Sequence, residues 1–459
     1  MNITEILTQP ESKTLEFKRD LSSLKPILKT LVAFANTAGG LLVVGRENDG
    51  TIVGVNNIEE AEERLANAIA DSIRPAMQPE IDITTCDGKA LLLVRVPYWR
   101  GPFYLKSEGP ERGVYVRLGS TSRPAGPELL SELQRVPSGI SYDLTPCPDL
   151  SAADLDSAKA RKLFAAAGME LDDAKLTSLA VLVPFAGRVV PTLGGVILFG
   201  SEAARASTCP DARVSCARFN GTDKVEFLDT LDIEGTVLDA ITEVPRFIRR
   251  NTRTAARIEG MYRREIPEYP EVAIREALVN AVAHAGYFQT GMRIMVAIYD
   301  DRLEIQNPGP FPFGMTIDEL KAGVSKVRNR MIARIMRLLL MMEEWGSGYK
   351  RILEACRAGG YPEPEWQELG TAVKIIFRPH PEVERLIATD VPVNVPVNVP
   401  VNERQKWFIE QLAVGCNVKA ADIAKHFKVV TMTAKRDIAE LRELGLIVFI
   451  GSPKTGQYR

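Results

Sequence analysis

The sequence predicts a multi-domain α/β (α+β) protein: an N-terminal mixed-sheet domain, a larger α/β sandwich region, and a small C-terminal unit of three helices and a two-strand wing. Three observations carry this reading. Helix-period and strand-period segments alternate through the first 385 residues. A Val-Pro-Val-Asn unit is then repeated three times over Val391–Asn402. Beyond it, short helical stretches lead into a β-prone run closed by Gly and Pro. At 459 residues the chain has room for about three domains at ~150 residues each. Its formal net charge of -2 gives no whole-chain sign of nucleic-acid binding, so any basic surface has to be local. The six cysteines (Cys86, Cys147, Cys209, Cys216, Cys356 and Cys416) form no C-x-x-C pair and sit near no histidine cluster. That spacing argues against structural zinc and a disulfide framework, and fits a reducing cytoplasm. The start Met1-Asn2-Ile3-Thr4-Glu5 lacks the basic and apolar parts of a signal peptide, and no 18-residue apolar run is present. A cytoplasmic protein without membrane contact is expected.

The first domain is read as residues 1–137. Leu24, Ile27, Leu28, Leu31 and Phe34 form one apolar helical face. Gly39-Gly40 ends that helix, and Leu41–Gly45 follows as a short buried strand. Asn48-Asp49-Gly50 marks a tight turn, and Leu91–Val96 and Gly113–Leu118 read as further strands of the same mixed sheet. Lys18, Arg19, Lys25, Lys29, Arg117 and Arg123 are the phosphate partners available here, with Tyr104 and Tyr115 as stacking rings.

Leu15-Glu16-Phe17-Lys18, Ala33-Phe34-Ala35-Asn36-Thr37-Ala38-Gly39-Gly40 and Tyr115-Val116-Arg117-Leu118-Gly119-Ser120 occur in order. Together they resemble the Schlafen/AlbA-type domain over roughly residues 10 to 130. The resemblance implies nucleic-acid binding. In Schlafen relatives that cut RNA with acidic residues and a divalent metal, the counterparts are Glu11, Glu16 and Asp49. The plainer reading of Glu11 and Glu16 is two solvated carboxylates flanking a first strand.

A softer boundary at Pro137–Ser151 opens the second region, 138–385, with an amphipathic helix expected from about Ala152 and a connecting subdomain over about 151–260. Pro191–Gly200 reads as a turn feeding an apolar strand, and Leu238–Arg250 as a charged helix. The run Arg275–His284 places Glu276, Asn280 and His284 at four-residue intervals, so on a helix they share one face. Alone, such a face is an ordinary solvated stripe. Downstream, however, Ile294–Ile298 and Arg302–Asn307 alternate around a turn at Asp300-Asp301, predicting a β-hairpin that ends in Asn307-Pro308-Gly309. Gly309 allows close backbone approach and the Asn307 amide can pair with a base edge. Gly346-Ser347-Gly348 then stands at the mouth of another helix, where unpaired N–H groups suit a phosphate.

Taken in order, these three pieces resemble the N, G1 and G2 boxes of Bergerat (GHKL) ATP-binding domains. The stretch 191–378 resembles the ATPase-like region of bacterial proteins labelled "RecG-like" or ATP-binding transcriptional regulators. The resemblance implies ATP and Mg²⁺ as cofactors. Asn280 would hold the metal against the phosphates and Glu276 would orient water as the catalytic group. Asn307 would read adenine, while Gly346, Ser347 and Gly348 cradle phosphate, and His284 and Gly309 count among the nucleotide-binding residues. Two departures favour binding, with at most weak ATPase activity. Relatives carry His-Arg-Asp-Tyr where this chain has His284-Ala285-Gly286-Tyr287, and Asn307 replaces the adenine-reading aspartate of active GHKL enzymes. A helicase motor is excluded, because no G-x-x-x-x-G-K-[ST] loop exists; Gly88-Lys89 is followed by Ala90.

The Val-Pro repeats make residues 386–402 an extended linker, with edge-strand addition as the alternative. In 403–459, Trp407, Phe408 and Leu412 mark one helix, Ala420–Phe427 a second and Thr431–Leu444 a third, followed by a two-strand wing. Ala434–Ile438 through Gly445-Leu446-Ile447 resembles winged helix-turn-helix regulators of the DeoR type. This segment holds six Lys and four Arg against two Asp and four Glu, a local +4. Thr431, Thr433, Lys435 and Arg436 open the third helix as base and phosphate contacts, with Lys454 and Arg459 on the wing. A winged helix used for protein contacts is the alternative. The sequence thus points to an ATP-binding, DNA-binding transcriptional regulator that forms homo-oligomers. The competing reading is a metal-dependent nuclease acting on RNA through Glu11, Glu16 and Asp49.

Overall fold

The computed structural model describes residues 3–259, 262–343, 348–389, 402–413, 418–443, 447, 449–450 and 457–458. The chain divides into two compact units, Met1–His380 and Pro381–Arg459.

In the first unit, the N-terminal part is built on a four-stranded sheet. Strand β1 (Leu15–Lys18) runs parallel to β2 (Gly40–Val44), joined by helix α1 (Leu24–Thr37). Helix α2 (Ile58–Ser72) leads to the hairpin β3 (Glu80–Cys86) and β4 (Lys89–Val96), and the sheet order is β1-β2-β4-β3. The apolar face of α1 closes the core, with Leu31, Val32 and Phe34 fully buried. Buried Asn36 fixes the end of α1: its Nδ2 donates to the carbonyls of Phe103 and Tyr115 at 2.9 Å each, and its Oδ1 accepts from Phe103 N at 2.7 Å. The predicted strand at Gly113–Leu118 differs from expectation. It begins at Tyr115 and pairs as β5 (Tyr115–Leu118) with β6 (Thr121–Pro124) in a separate ribbon, outside the main sheet.

The larger part of this unit contains the apolar run 193–199, and the expected strand there is a helix, α3 (Leu193–Phe199). All seven of its residues are buried, so no face alternation exists to separate strand from helix. Thr192 decides in favour of helix by capping it, its side chain accepting from Gly195 N at 3.2 Å. Near Ala152 only a single 3-10 turn forms, and the helix proper starts at Ser157.

The sheet that carries the site has six strands. After β7 (Val214–Phe219) and β8 (Phe227–Asp232) come helix α4 (Val237–Asn251), helix α5 (Glu271–His284), and the hairpin of β9 (Ile294–Ile298) and β10 (Leu303–Pro308). Helix α6 (Arg330–Leu338), helix α7 (Gly348–Gly359) and strands β11 (Glu365–Glu368) and β12 (Ala372–Phe377) complete it. The order is β8-β7-β9-β10-β12-β11, with only β7 and β9 parallel. Helix α5 is apolar on nearly every side, as expected of a helix enclosed in a core. It packs against α4, α7 and β10.

Among the described residues the second unit opens with a helix over Pro381–Thr389, whose last turn enters the span expected as an extended linker. Its three further helices, α8 (Glu403–Ala413), α9 (Ala420–Phe427) and α10 (Thr431–Glu443), pack around Phe408, Ile423, Ala434, Ile438 and Leu441. Strand β13 (Phe449–Ile450) pairs antiparallel with β14 (Gln457–Tyr458). Among the described residues, no helix is long and apolar enough to cross a membrane.

Candidate functional site

Glu276, Asn280 and His284 project from α5 into one cleft, and Asn307 from the end of β10 and Gly348 from the start of α7 line it too. Gly346 and Ser347 lie outside the described residues. Gly348 shows why the mouth of α7 needs glycine. A Cβ there would stand 2.8 Å from Asn280 Nδ2 and 2.9 Å from Glu276 Oε1, so α7 rests directly on the polar face of α5. Among the described residues the Asn280 amide has no hydrogen-bond partner. The Asn307 amide, among the described residues, donates only to its neighbour Pro308 O, at 3.3 Å.

Gly309 does not line the cleft; it anchors its edge. With φ of +92° it occupies backbone space that favours glycine, and its N–H is shared by Thr371 O at 2.7 Å and Gln289 Oε1 at 2.9 Å. The buried Arg328 guanidinium fills the space beside it, donating to His284 O at 3.1 Å and Pro310 O at 2.7 Å. Ala285 and Gly286, which depart from the Arg-Asp pair of relatives, now have a packing reason. Both are enclosed, and a Cβ on Gly286 would sit 3.1 Å from Gly309 Cα and 3.3 Å from Arg328 Nη1. Burial, aided by the Arg328 charge, lowers His284 to about 4, so its imidazole is neutral near pH 7.

Glu276 is buried to 6% exposure. Its Oε2 lies 3.7 Å from Arg351 Nη1, which is also 2.8 Å from Glu343 Oε1. Sequence reasoning missed Arg351, along with the far wall of the cleft: Phe311, Pro312, Met315, Lys326, Arg337, Tyr349 and Trp366. The Tyr349 and Trp366 rings meet at 4.7 Å. Only the position of Arg351, three residues after Gly348, could have hinted at its role. The cleft thus combines an apolar interior, cations from several elements, the amides of Asn280 and Asn307, and the carboxylates of Glu276 and Glu343, both near Arg351. Among the described residues no three His, Cys, Asp or Glu gather to hold a metal. Mg²⁺ bound with a nucleotide takes one or two protein oxygens and completes its shell with phosphates and water; Asn280 Oδ1 is an amide oxygen on the cleft lining that could serve as one.

In the N-terminal part, the acidic candidates are engaged separately. Glu11 Oε1 accepts from Phe17 N at 3.0 Å, and Asp49 Oδ1 accepts from Thr51 N at 2.8 Å inside its turn. Glu16 is paired with Arg117 Nη1 at 2.8 Å and with Lys18. Arg117, expected as a phosphate contact, is therefore withdrawn from solvent at 2% exposure, because a buried carboxylate requires a cation. Tyr115, expected to stack on bases, is also buried, and its hydroxyl donates to Glu108 Oε2 at 2.6 Å. Tyr104 is half-buried. Lys25 and Lys29 converge on Glu108 at 3.0 and 3.6 Å, and Arg19 reaches Asp20 and Glu47. Arg19 and Arg123 remain exposed. In the second unit Thr431, Lys435 and Arg436 are exposed at the start of α10 and Thr433 is half-buried, while Lys454 and Arg459 lie outside the described residues.

Comparison with known proteins assigns two segments. Residues 11–126 match the family "Schlafen, AlbA_2". Residues 291–377 match the family "Putative ATP-dependent DNA helicase recG C-terminal", an ATPase-type region whose matched span begins just after α5. Among solved structures, the DIP2311 protein of Corynebacterium diphtheriae is 19% identical, covering 100% of this chain and 98% of that one at a TM-score of 0.41. The N-terminal domain of a RecG-related protein of Nitrosomonas europaea is 29% identical over 28% of this chain and 94% of that one, at a TM-score of 0.22. At those TM-scores neither structure adds to the fold. No curated protein matches.

Proposed function

We propose that this chain, with its AlbA_2 region and its ATPase-type region, is an ATP-binding, DNA-binding regulator in which nucleotide occupancy biases the binding of nucleic acid. The observation that carries the reading is the convergence of Glu276, Asn280, His284, Asn307 and Gly348 on one cleft. In this reading Asn280 meets Mg²⁺ through its amide oxygen, and the N-terminal N–H groups of α7 meet phosphate. Bound Mg²⁺ supplies charge neutralisation between phosphates. His284, being neutral, borders the nucleotide without adding charge. Glu276 can act as a base only after Arg351 lets go of it, so binding is favoured over turnover. For the C-terminal unit, the exposed Thr431, Lys435 and Arg436 at the start of α10 support contact with duplex DNA.

Thermal and chemical unfolding with added nucleotide tests the cleft. MgATP at a hundred times its Kd should stabilise the protein by about 2.7 kcal/mol. Identical unfolding curves with and without MgATP across a millimolar range would overturn the assignment.

A further inference from the structure

The far wall of the cleft belongs to two parts of the molecule at once. Phe311, Pro312 and Met315 line the cleft, while Phe313 between them packs with Val114, Val116 and Leu133 of the N-terminal part. Gly314 N donates to Thr37 O, at the end of α1, at 2.6 Å. Gly314 has φ of +74°, and a Cβ there would run into the Tyr98 ring, so glycine is what lets the segment lie this close. Lys326, another cleft residue, donates to Gly314 O and sits 5.8 Å from the Tyr98 ring centroid.

One carboxylate fastens this seam. Glu368 Oε1, at the end of β11, accepts from Phe311 N at 3.0 Å and from Lys13 Nζ at 2.8 Å, and Lys13 Nζ also lies 3.0 Å from Glu368 Oε2 and 3.4 Å from Met315 O. The Lys13 and Glu368 side chains are only 14% and 22% exposed, so this pair is less screened than an ordinary surface salt bridge. Lys13 precedes β1, and Thr37 closes the helix between β1 and β2.

We propose that the N-terminal domain is a working part of the nucleotide cleft, and that the Lys13–Glu368–Phe311 bracket transmits cleft occupancy to the α1–β2 corner of that domain. This rests on the nucleotide reading above and adds its route of regulation. Lys13 and Glu368 are positioning residues: they touch the wall of the cleft through Phe311 and Met315. Linkage makes the effect reciprocal, so whatever the N-terminal domain binds with a preference between the two cleft states alters nucleotide affinity by the same factor.

The full chain is titrated with MgATP by calorimetry, and hydrogen exchange is followed in peptides covering residues 10–20 and 31–44, for wild type, Lys13→Met and Glu368→Gln. Wild type should bind and slow exchange in both peptides. Lys13→Met should bind about five- to tenfold more weakly and leave exchange in those peptides unchanged by nucleotide. Glu368→Gln, which keeps an acceptor for Phe311 N but loses the charge opposite Lys13, should fall between. MgATP binding with no change in either peptide, or the same change in all three proteins, overturns the bracket and leaves the nucleotide reading standing. A flat wild-type isotherm overturns both.

Discussion

His284 closes α5 half-buried at the cleft, and burial together with the Arg328 charge lowers its pKa to about 4. In an unfolded chain the imidazole titrates near ~6.5. Between those values the unfolded chain carries a proton that the folded chain lacks. Stability is therefore fully present above pH 6.5 and falls as pH drops toward 4. At about 1.36 kcal/mol per unit, the loss at pH 5 relative to pH 7.5 is about 2 kcal/mol. Urea unfolding at the two pH values measures it, with His284→Gln as the control that keeps a polar end without a titrating ring. Burial acts oppositely on Asp143 and Glu268, raising both and favouring the folded state at lower pH, so the informative quantity is the difference between the two proteins. The wild type should lose about 2 kcal/mol more than His284→Gln over this range. Equal pH dependence would refute a half-buried, neutral imidazole at the cleft.

Gly348→Ala should disturb the mouth of α7 and the cleft together: the added methyl meets Asn280 and the buried Glu276, so it should weaken MgATP binding about tenfold and lower stability by about 1–3 kcal/mol. Calorimetry and urea titration of the same sample read the two effects. Arg117→Met leaves Glu16 buried without its main cation and should cost about 3–5 kcal/mol in chemical denaturation, with no change in the salt slope of nucleic-acid binding. Lys435→Ala and Arg436→Ala should each lower the salt slope of duplex binding by about one. Slopes equal to wild type would remove α10 from the DNA interface.

How much of this was legible depended on whether a segment shows one face to water. Helix α1 and the β9–β10 hairpin carry clear periodicity, and the structure places them close to the expected limits. The run 193–199 is buried on all sides, so its pattern was mute and only the Thr192 cap distinguished helix from strand. For the cleft, the four-residue spacing on α5, the Asn307 strand end and the Gly348 helix mouth were visible because each is a local motif. Its far wall was not, since residues 310–327 have little regular structure and owe their place to contacts with Lys13, Thr37 and Tyr98, about two to three hundred residues earlier. Arg117 was misjudged for a related reason. A cation reads as surface until the carboxylate that buries it is known, and Glu16 is 101 residues away.

Asn280 is the residue on which the nucleotide account turns, because its half-buried amide lines the cleft where α7 meets α5. Calorimetric titration of wild type and Asn280→Ala with MgATP tests it most directly. The account predicts saturable binding by wild type and none detectable by a variant whose unfolding curve is unchanged. Equal affinity in the two proteins, or no binding by wild type, would contradict it.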